Sequence, residues 1–406
     1  MLTIAIIGGG AAGFFAALSA KQHHPNARVC IYEKTSKFLA KVKVSGGGRC
    51  NVTNATFNQR ILSEKYPRGE KFMRKALEQF DAQSTVDWFE SRDVALHTYP
   101  DLCIFPRSNT SQSIIDCFWF EARKLGVELH TSQGIDGVKR SEKGFQLHLK
   151  DREVEVDRII VTVGGQPKYT GLAWLADMGH RIVEPVPSLF TFNMPQDPIR
   201  DLMGIVVENA SVRIEGQKLI GQGPLLVTHW GMSGPAILQL SAWGARILAE
   251  KQYTFSILVN WLGDEKEEGL RAQIKQIMAV HGSKMMSNHN PFPMPKRLWV
   301  FLLEKNAIEP ATRWQDLAGK NVNKLVNTLM NDRYEVKGKT TFKEEFVTAG
   351  GVDLADINVK TMESRVCPGM FFAGEVMDID GITGGFNFQA AWTTGFIAGK
   401  NAGEIA

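Results

Sequence analysis

An apolar run, Thr3-Ile4-Ala5-Ile6-Ile7, opens the chain and reads as a buried strand. Gly8-Gly9-Gly10-Ala11-Ala12-Gly13 follows, then an apolar helical stretch, then a second strand, Val29-Cys30-Ile31-Tyr32, ending on Glu33 and Lys34. Helical spacing predicts amphipathic helices over 70–91 and 108–125, the second stopped by Gly126. Strands are expected at 127–130, at 145–149 and at 154–163, the last running into Gly164-Gly165. Near Pro185-Val186-Pro187 the character changes, and prolines punctuate a boundary. Short strands (205–214, 225–229, 253–258) then mix with helices over 264–280, 296–305 and 311–330. A further helix is expected to open at Gly231-Met232-Ser233-Gly234-Pro235, capped by Ser233, and to run to about residue 249. Strand character returns at Phe346-Val347-Thr348-Ala349-Gly350-Gly351-Val352 and at Gly369-Met370-Phe371-Phe372-Ala373-Gly374-Glu375. A glycine-rich loop from Asp378 to Gln389 leads into a terminal helix over 390–402.

The simplest architecture is α/β. A Rossmann-like nucleotide domain is built from both chain ends, 1–189 and 341–406, with 190–340 inserted as a substrate domain of strands plus helices. Composition adds little: 406 residues, 44% hydrophobic and 22% charged, suit a globular chain of two or three domains. The net charge of +4, without a basic run, gives no reason to expect a nucleic-acid partner. Cys30, Cys50, Cys103, Cys117 and Cys367 form no C-x-x-C pair and no metal-ligand spacing, which fits a reducing compartment and no bound metal. With no apolar segment of membrane-spanning length and no leader pattern, a cytoplasmic, membrane-free protein is expected. Oligomeric state is not legible.

The candidate chemistry begins with the first glycines. In strand, G-x-G-x-x-G, helix, strand, acid, each part has a task in holding a dinucleotide. Gly8 turns the chain off the strand, Gly10 leaves the backbone bare for a pyrophosphate, and Gly13 brings the helix onto the sheet. N–H groups at the helix start, around Ala11 and Ala12, face the phosphates, and Glu33 stands where a ribose hydroxyl donates. Lys41 to Asn54 is expected to be a loop, its Ser45-Gly46-Gly47-Gly48-Arg49-Cys50-Asn51 core dense in N–H donors. These features select a dinucleotide without deciding between FAD and NAD.

Taken together, the first glycine turn, Ser-Gly-Gly-Gly-Arg-Cys-Asn and Phe-Phe-Ala-Gly-Glu with its trailing Gly-Gly-Phe-Asn-Phe-Gln resemble the BaiN-like (YhiN-like) FAD-dependent oxidoreductases, often labelled aminoacetone oxidase-like. Thr228-His229-Trp230-Gly231-Met232-Ser233-Gly234-Pro235 and Thr348-Ala349-Gly350-Gly351-Val352 extend the likeness. The resemblance implies a two-dinucleotide-binding-domain flavoprotein fold with FAD as cofactor. Gly8, Gly10 and Gly13 would meet the pyrophosphate, Glu33 the adenosine ribose, and Gly134 the adenine. Ser45 to Asn51 would run beside the ribityl chain and isoalloxazine, Gly374 and Glu375 beside ribityl and pyrophosphate, and Gly385, Phe386, Asn387 and Phe388 along the flavin pyrimidine edge. Apart from that likeness, Gly164 ends a buried strand, where a nucleotide can lie against bare backbone.

His229 is a candidate proton donor, weighed against a structural histidine, and Arg49 a flavin contact. Cys50 reads as an incidental thiol. With no second G-x-G-x-x-G, NAD(P)H enters only as a transient reductant, beside other donors or the substrate itself. The leading expectation is hydride transfer between flavin and a small organic substrate, by reduction of an activated C=C bond or oxidation of an amine. An FAD-dependent RNA-modifying enzyme and a non-catalytic flavin redox sensor are the alternatives.

Overall fold

The computed structural model describes residues 1–340 and 347–404, so Phe346, the expected first residue of a strand, lies outside the described residues. Two compact units emerge: residues 1–188 with 342–406, and residues 189–341.

The first unit is organised by a five-stranded parallel sheet. Thr3–Ile7 lies at its centre, flanked by Arg28–Tyr32 and then Glu128–His130 on one side, and by Arg158–Val161 and then Met370–Phe372 on the other. The order reverses beside the first strand. In such sheets the crevice outside the carboxyl ends at that reversal is where ligands sit. Ala11–His23 packs directly on the terminal helix Phe386–Asn401. The approach depends on glycine, since a Cβ at Gly399 would stand 2.2 Å from Ala16 O and one at Gly395 2.8 Å from Ala12 O. Phe15, Trp88, Phe118 and Trp392 fill the space beside this crossing with rings in contact. A two-stranded pairing of Ile182–Ser188 with Val347–Val352 and two small antiparallel sheets complete the unit.

The second unit is a seven-stranded antiparallel sheet with helices. Its edge strands, Asp332–Lys337 and Lys339–Thr340, are consecutive in the chain. Gly338 between them donates to Tyr253 O and accepts from Asn193 N, so the sheet closes on itself and removes its edges. Trp261, Trp299 and Trp314 are fully buried in its core, the last two stacked.

Several expected elements differ. Lys41 to Val44 is helical, within Ala40–Gly48, whose backbone leaves helical geometry at Ser45, Gly46 and Gly47. The helix over 70–91 is two, Glu70–Ala76 and Ala82–Glu90; the Asp81 carboxylate accepts from Ser84 N and starts the second. The strand over 154–163 divides at Asp157, whose carboxylate accepts from Thr3 N.

In the second unit, Gly231–Ser233 is a strand, not a helix start, because Met232 pairs with both Phe192 and Val227. Ser233 therefore caps nothing; its oxygen accepts from Thr191 Oγ1 at 3.0 Å. The helix begins at Pro235, breaks at Gly244 and resumes as Ala245–Glu250. The stretch 311–330 resolves into a short turn and Gly319–Asn331, and 264–280 starts at Glu267. The terminal helix starts at Phe386, four residues early, which places Asn387 and Phe388 in its first turn.

Candidate functional site

The glycine turn is built as its spacing predicts. Gly8 has φ +112°, and a Cβ there would lie 2.5 Å from Thr162 O. A Cβ on Gly13 would lie 2.0 Å from Gly8 O, so only glycine lets the helix seat. Gly10 is different: no heavy atom stands within 4 Å of where its Cβ would be. Its bareness serves no packing purpose within the protein, and it lies at the start of a 13-residue helix whose first N–H groups lack intrahelical partners. That is a cradle suited to a pyrophosphate.

Glu33 braces this cradle. Its carboxylate accepts from Gly9 N at 2.9 Å and from Thr35 N and Oγ1 at 2.8 and 2.9 Å. Gly134 packs against Lys34, where a Cβ would stand 3.1 Å from Lys34 Cβ.

From the other end of the chain, Gly374 presses onto the same helix. Its φ is +77°, its Cβ position is 2.8 Å from Ala12 Cβ, and its N–H donates to Thr394 Oγ1 at 2.9 Å. Glu375 accepts from Thr348 N and from Lys41 Nζ, both at 2.9 Å. Gly164, with φ +71°, and Gly165 face that carboxylate.

Gly46, Gly47 and Gly48 all have positive φ, and Gly47 and Gly48 have open space where side chains would be. Arg49 lies over the Phe105 ring at 4.5 Å and donates to Gly46 O. Ser45 donates to Val42 O. Cys50 is fully buried, and burial pushes its thiol up to about 12, so no thiolate forms near neutral pH. With its amide oriented to suit its neighbours, Asn51 donates to Thr53 O and Ile104 O and accepts from Gly385 N at 3.2 Å, which joins this loop to the terminal glycines. Asn54 Nδ2 donates to Gly384 O at 3.1 Å. Asn387 grips Gly381 through both its N–H and C=O, and Phe388 stacks on Trp392. Tyr66 Oη donates to Phe386 O. The first N–H groups of this helix therefore emerge from a rigid frame.

Residues 8–13, 45–51, 374–375 and 384–388 thus belong to one connected frame in the first unit. Sequence reading missed Lys41, Thr348 and Thr162 as members of it. Thr162, whose hydroxyl donates to Gly8 O at 2.8 Å, carries a signal in its place at the end of a parallel strand. His229 lies in the second unit, exposed, in the turn from Thr228 to Gly231, with its ring 4.4 Å from Trp230. It borders a surface cavity of about 610 Å3 with Asp197, Arg200 and Met203. Cys30, Glu128 and His130 cluster on the parallel sheet, but both nitrogens of the Arg28 fork hold the Glu128 carboxylate at 2.8 Å. Those bonds keep Glu128 down to about 2, and burial holds the Cys30 thiol up to about 12, so the group reads as a structural network.

The HI0933-like protein Rossmann domain family matches residues 2–401. The chain belongs to that family. It is 28% identical to the 3-dehydro-bile acid delta(4,6)-reductase of Clostridium scindens, over all of both chains. It is 29% identical to the ribosomal RNA dihydrouridine synthase of Escherichia coli, over 98% of this chain and 96% of that one. Its fold is that of 3-ketosteroid delta1-dehydrogenase from Sterolibacterium denitrificans (TM-score 0.52, 12% identity, 99% of each chain). The sequence resemblance therefore holds, and the HI0933-like chain is an oxidoreductase with a Rossmann-type domain. No described helix is long and apolar enough to cross a membrane.

Proposed function

We propose that this HI0933-like chain binds FAD in its first unit and transfers hydride to an activated C=C bond of a small organic substrate. The observation that carries the reading is Gly10: bare, unpacked, and at a helix start at the carboxyl edge of the parallel sheet, beside the strand-order reversal. When bound, FAD supplies two-electron redox chemistry. Gly8 to Gly13 would hold the pyrophosphate and Glu33, itself fixed by Gly9 and Thr35, the ribose. Glu375, paired with Lys41, would face the ribityl chain. The free N–H groups of the Phe386–Asn401 helix would lower the energy of negative charge at the flavin edge. His229 is the proton-donor candidate. Reduction is favoured over amine oxidation because the two relatives are named for a reductase and for a synthase of a dihydro product.

The test is stopped-flow reduction of the FAD-loaded protein by NADH and NADPH, followed by a screen of conjugated enones for flavin reoxidation. Flavin reoxidised by an enone supports the reading. A chain that takes up no FAD contradicts it.

A second reading, an RNA substrate, draws on one observation. Two relatives, at 29% and 27% identity, carry the name ribosomal RNA dihydrouridine synthase. Retention of ribosomal RNA fragments that weakens steeply with salt, with dihydrouridine formed on incubation of the FAD-loaded protein with NADH or NADPH as the hydride source, would support it.

A further inference from the structure

We propose that Arg49 is a substrate-binding group that receives the carboxylate or phosphate of an acidic substrate; this deepens the flavin oxidoreductase reading above and rests on it. The Arg49 guanidinium carbon lies 4.5 Å from the centre of the Phe105 ring and 5.9 Å from that of Tyr99, and Nε donates to Gly46 O at 3.1 Å. The rings and the carbonyl fix the group in place without neutralising it. Among the described residues, no carboxylate pairs with Arg49 and no acceptor meets its two terminal nitrogens. Arg68 and Arg92, also partly buried, are paired with Asp380 and Glu121. Arg49 is half-buried, so its terminal nitrogens are neither fully solvated nor shut in. A guanidinium held this way presents a planar fork of N–H groups, which matches a carboxylate or a phosphate.

The backbone around Arg49 leaves room for a ligand. Gly46, Gly47, Gly48 and Cys50 all have positive φ, and at Cys50, with φ +63°, that conformation carries strain. Gly46 is packed, since a Cβ there would stand 3.0 Å from Phe105 Cε1. Gly47 and Gly48 have no heavy atom within 4 Å of where a side chain would begin, so a ligand can approach bare backbone beside the cation. The hairpin of Leu96–Thr98 and Cys103–Pro106 sets His97 opposite Phe105. Tyr99, two residues beyond His97, shares their face, with ring contacts of 5.0 Å to His97 and 5.3 Å to Phe105. The row of rings runs from buried Phe105 to exposed His97, with Arg49 against its buried end. A flat conjugated substrate suits the row, and its anionic group suits Arg49. Arg49 is two residues from Asn51, whose side chain reaches Gly385 N, so the anion would be held on the frame proposed to carry the flavin.

The test is calorimetric titration of the FAD-loaded protein with matched pairs: oxocyclohexene carboxylic acid against its methyl ester, and uridine monophosphate against uridine. Wild type is expected to bind one acid about tenfold or more tightly than its neutral partner, the effect of a charge-assisted hydrogen-bonded pair. The pair that shows the preference tells whether a carboxylate or a phosphate is held. Arg49→Gln should lose about tenfold in affinity for that acid, and the preference with it. Arg49→Lys keeps the charge but not the fork and should fall between the two. FAD affinity should stay within about threefold of wild type in both variants, because the proposal gives Arg49 to the substrate. If a variant does not fold, wild type alone still decides: acid binding should weaken between about 50 and 500 mM salt while binding of the neutral partner holds. Acid and neutral partner bound alike, salt-independent acid binding, or no binding of any of the four compounds would overturn the proposal. So would an Arg49→Gln protein that keeps the preference, or one whose only defect is in FAD affinity. A wild-type chain that takes up no FAD would overturn the parent reading, and this one with it.

Discussion

Lys41 Nζ lies 2.9 Å from Glu375 Oε2, an ion pair that spans 334 residues of chain. It ties the short helix ahead of the Ser45–Asn51 loop to the turn after the last parallel strand. Lys41 is nearly half exposed, so the pair adds little to stability, about 0 to 1 kcal/mol. Its expected weight is in holding Glu375 toward the cofactor. Lys41→Met is predicted to leave urea unfolding within about 1 kcal/mol of wild type. It should weaken FAD binding several-fold, read by quenching of flavin fluorescence.

Gly13→Ala acts through packing. Its methyl would meet Gly8 O at 2.0 Å, so helix and turn must separate. A loss of about 1–3 kcal/mol in urea unfolding is expected, as for other overpacked cores. An unchanged midpoint would mean that the helix does not seat as described.

Asp380 is fully buried; the Arg68 guanidinium donates to both of its carboxylate oxygens, and the Ser188 hydroxyl adds a third bond at 2.7 Å. The cluster anchors the loop leading to Gly384 and Gly385. Arg68→Met leaves a buried carboxylate without its cation. A loss of about 3–5 kcal/mol is predicted, measured by urea unfolding.

Burial raises the Cys50 thiol from its ordinary 9.0 to about 12. Above pH 9 the unfolded chain releases this proton while the native chain keeps it. The native state then binds more protons, so the stability present below pH 9 falls as pH rises from 9 toward 12. Wild type should lose more stability than Cys50→Ala between pH 8 and pH 10.5 in urea unfolding. The same burial predicts that Cys50 resists alkylation at pH 8 in the folded protein, as peptide mapping would show.

Local chemistry made the first 34 residues legible. A strand, three spaced glycines and a terminal acid depend on neighbours close in sequence, and Gly8 and Gly13 meet the contacts their spacing demands. Lys296–Lys305 was likewise readable from its apolar face alone. The strand Gly231–Ser233 was not, because Met232 is extended only by pairing with Phe192 and Val227, and Gly-x-Ser-Gly-Pro locally favours a helix start. Asp332–Lys337 was also missed. Its alternation is clear only once Thr254–Asn260 lies beside it, and Asn331-Asp332 resembles a turn. Lys41 carries no local mark, since it matters through Glu375, 334 residues away.

Gly10→Ala tests the central claim most directly. Its methyl meets nothing in the protein, and the backbone there, at φ −89°, accepts alanine. Calorimetric titration of FAD into flavin-free wild type and Gly10→Ala, with melting curves of both, separates cofactor from fold. The account predicts one FAD per wild-type chain, binding weakened at least tenfold in the variant, and unchanged melting without FAD. Equal FAD affinity in the two proteins, or no FAD binding by either, would contradict it.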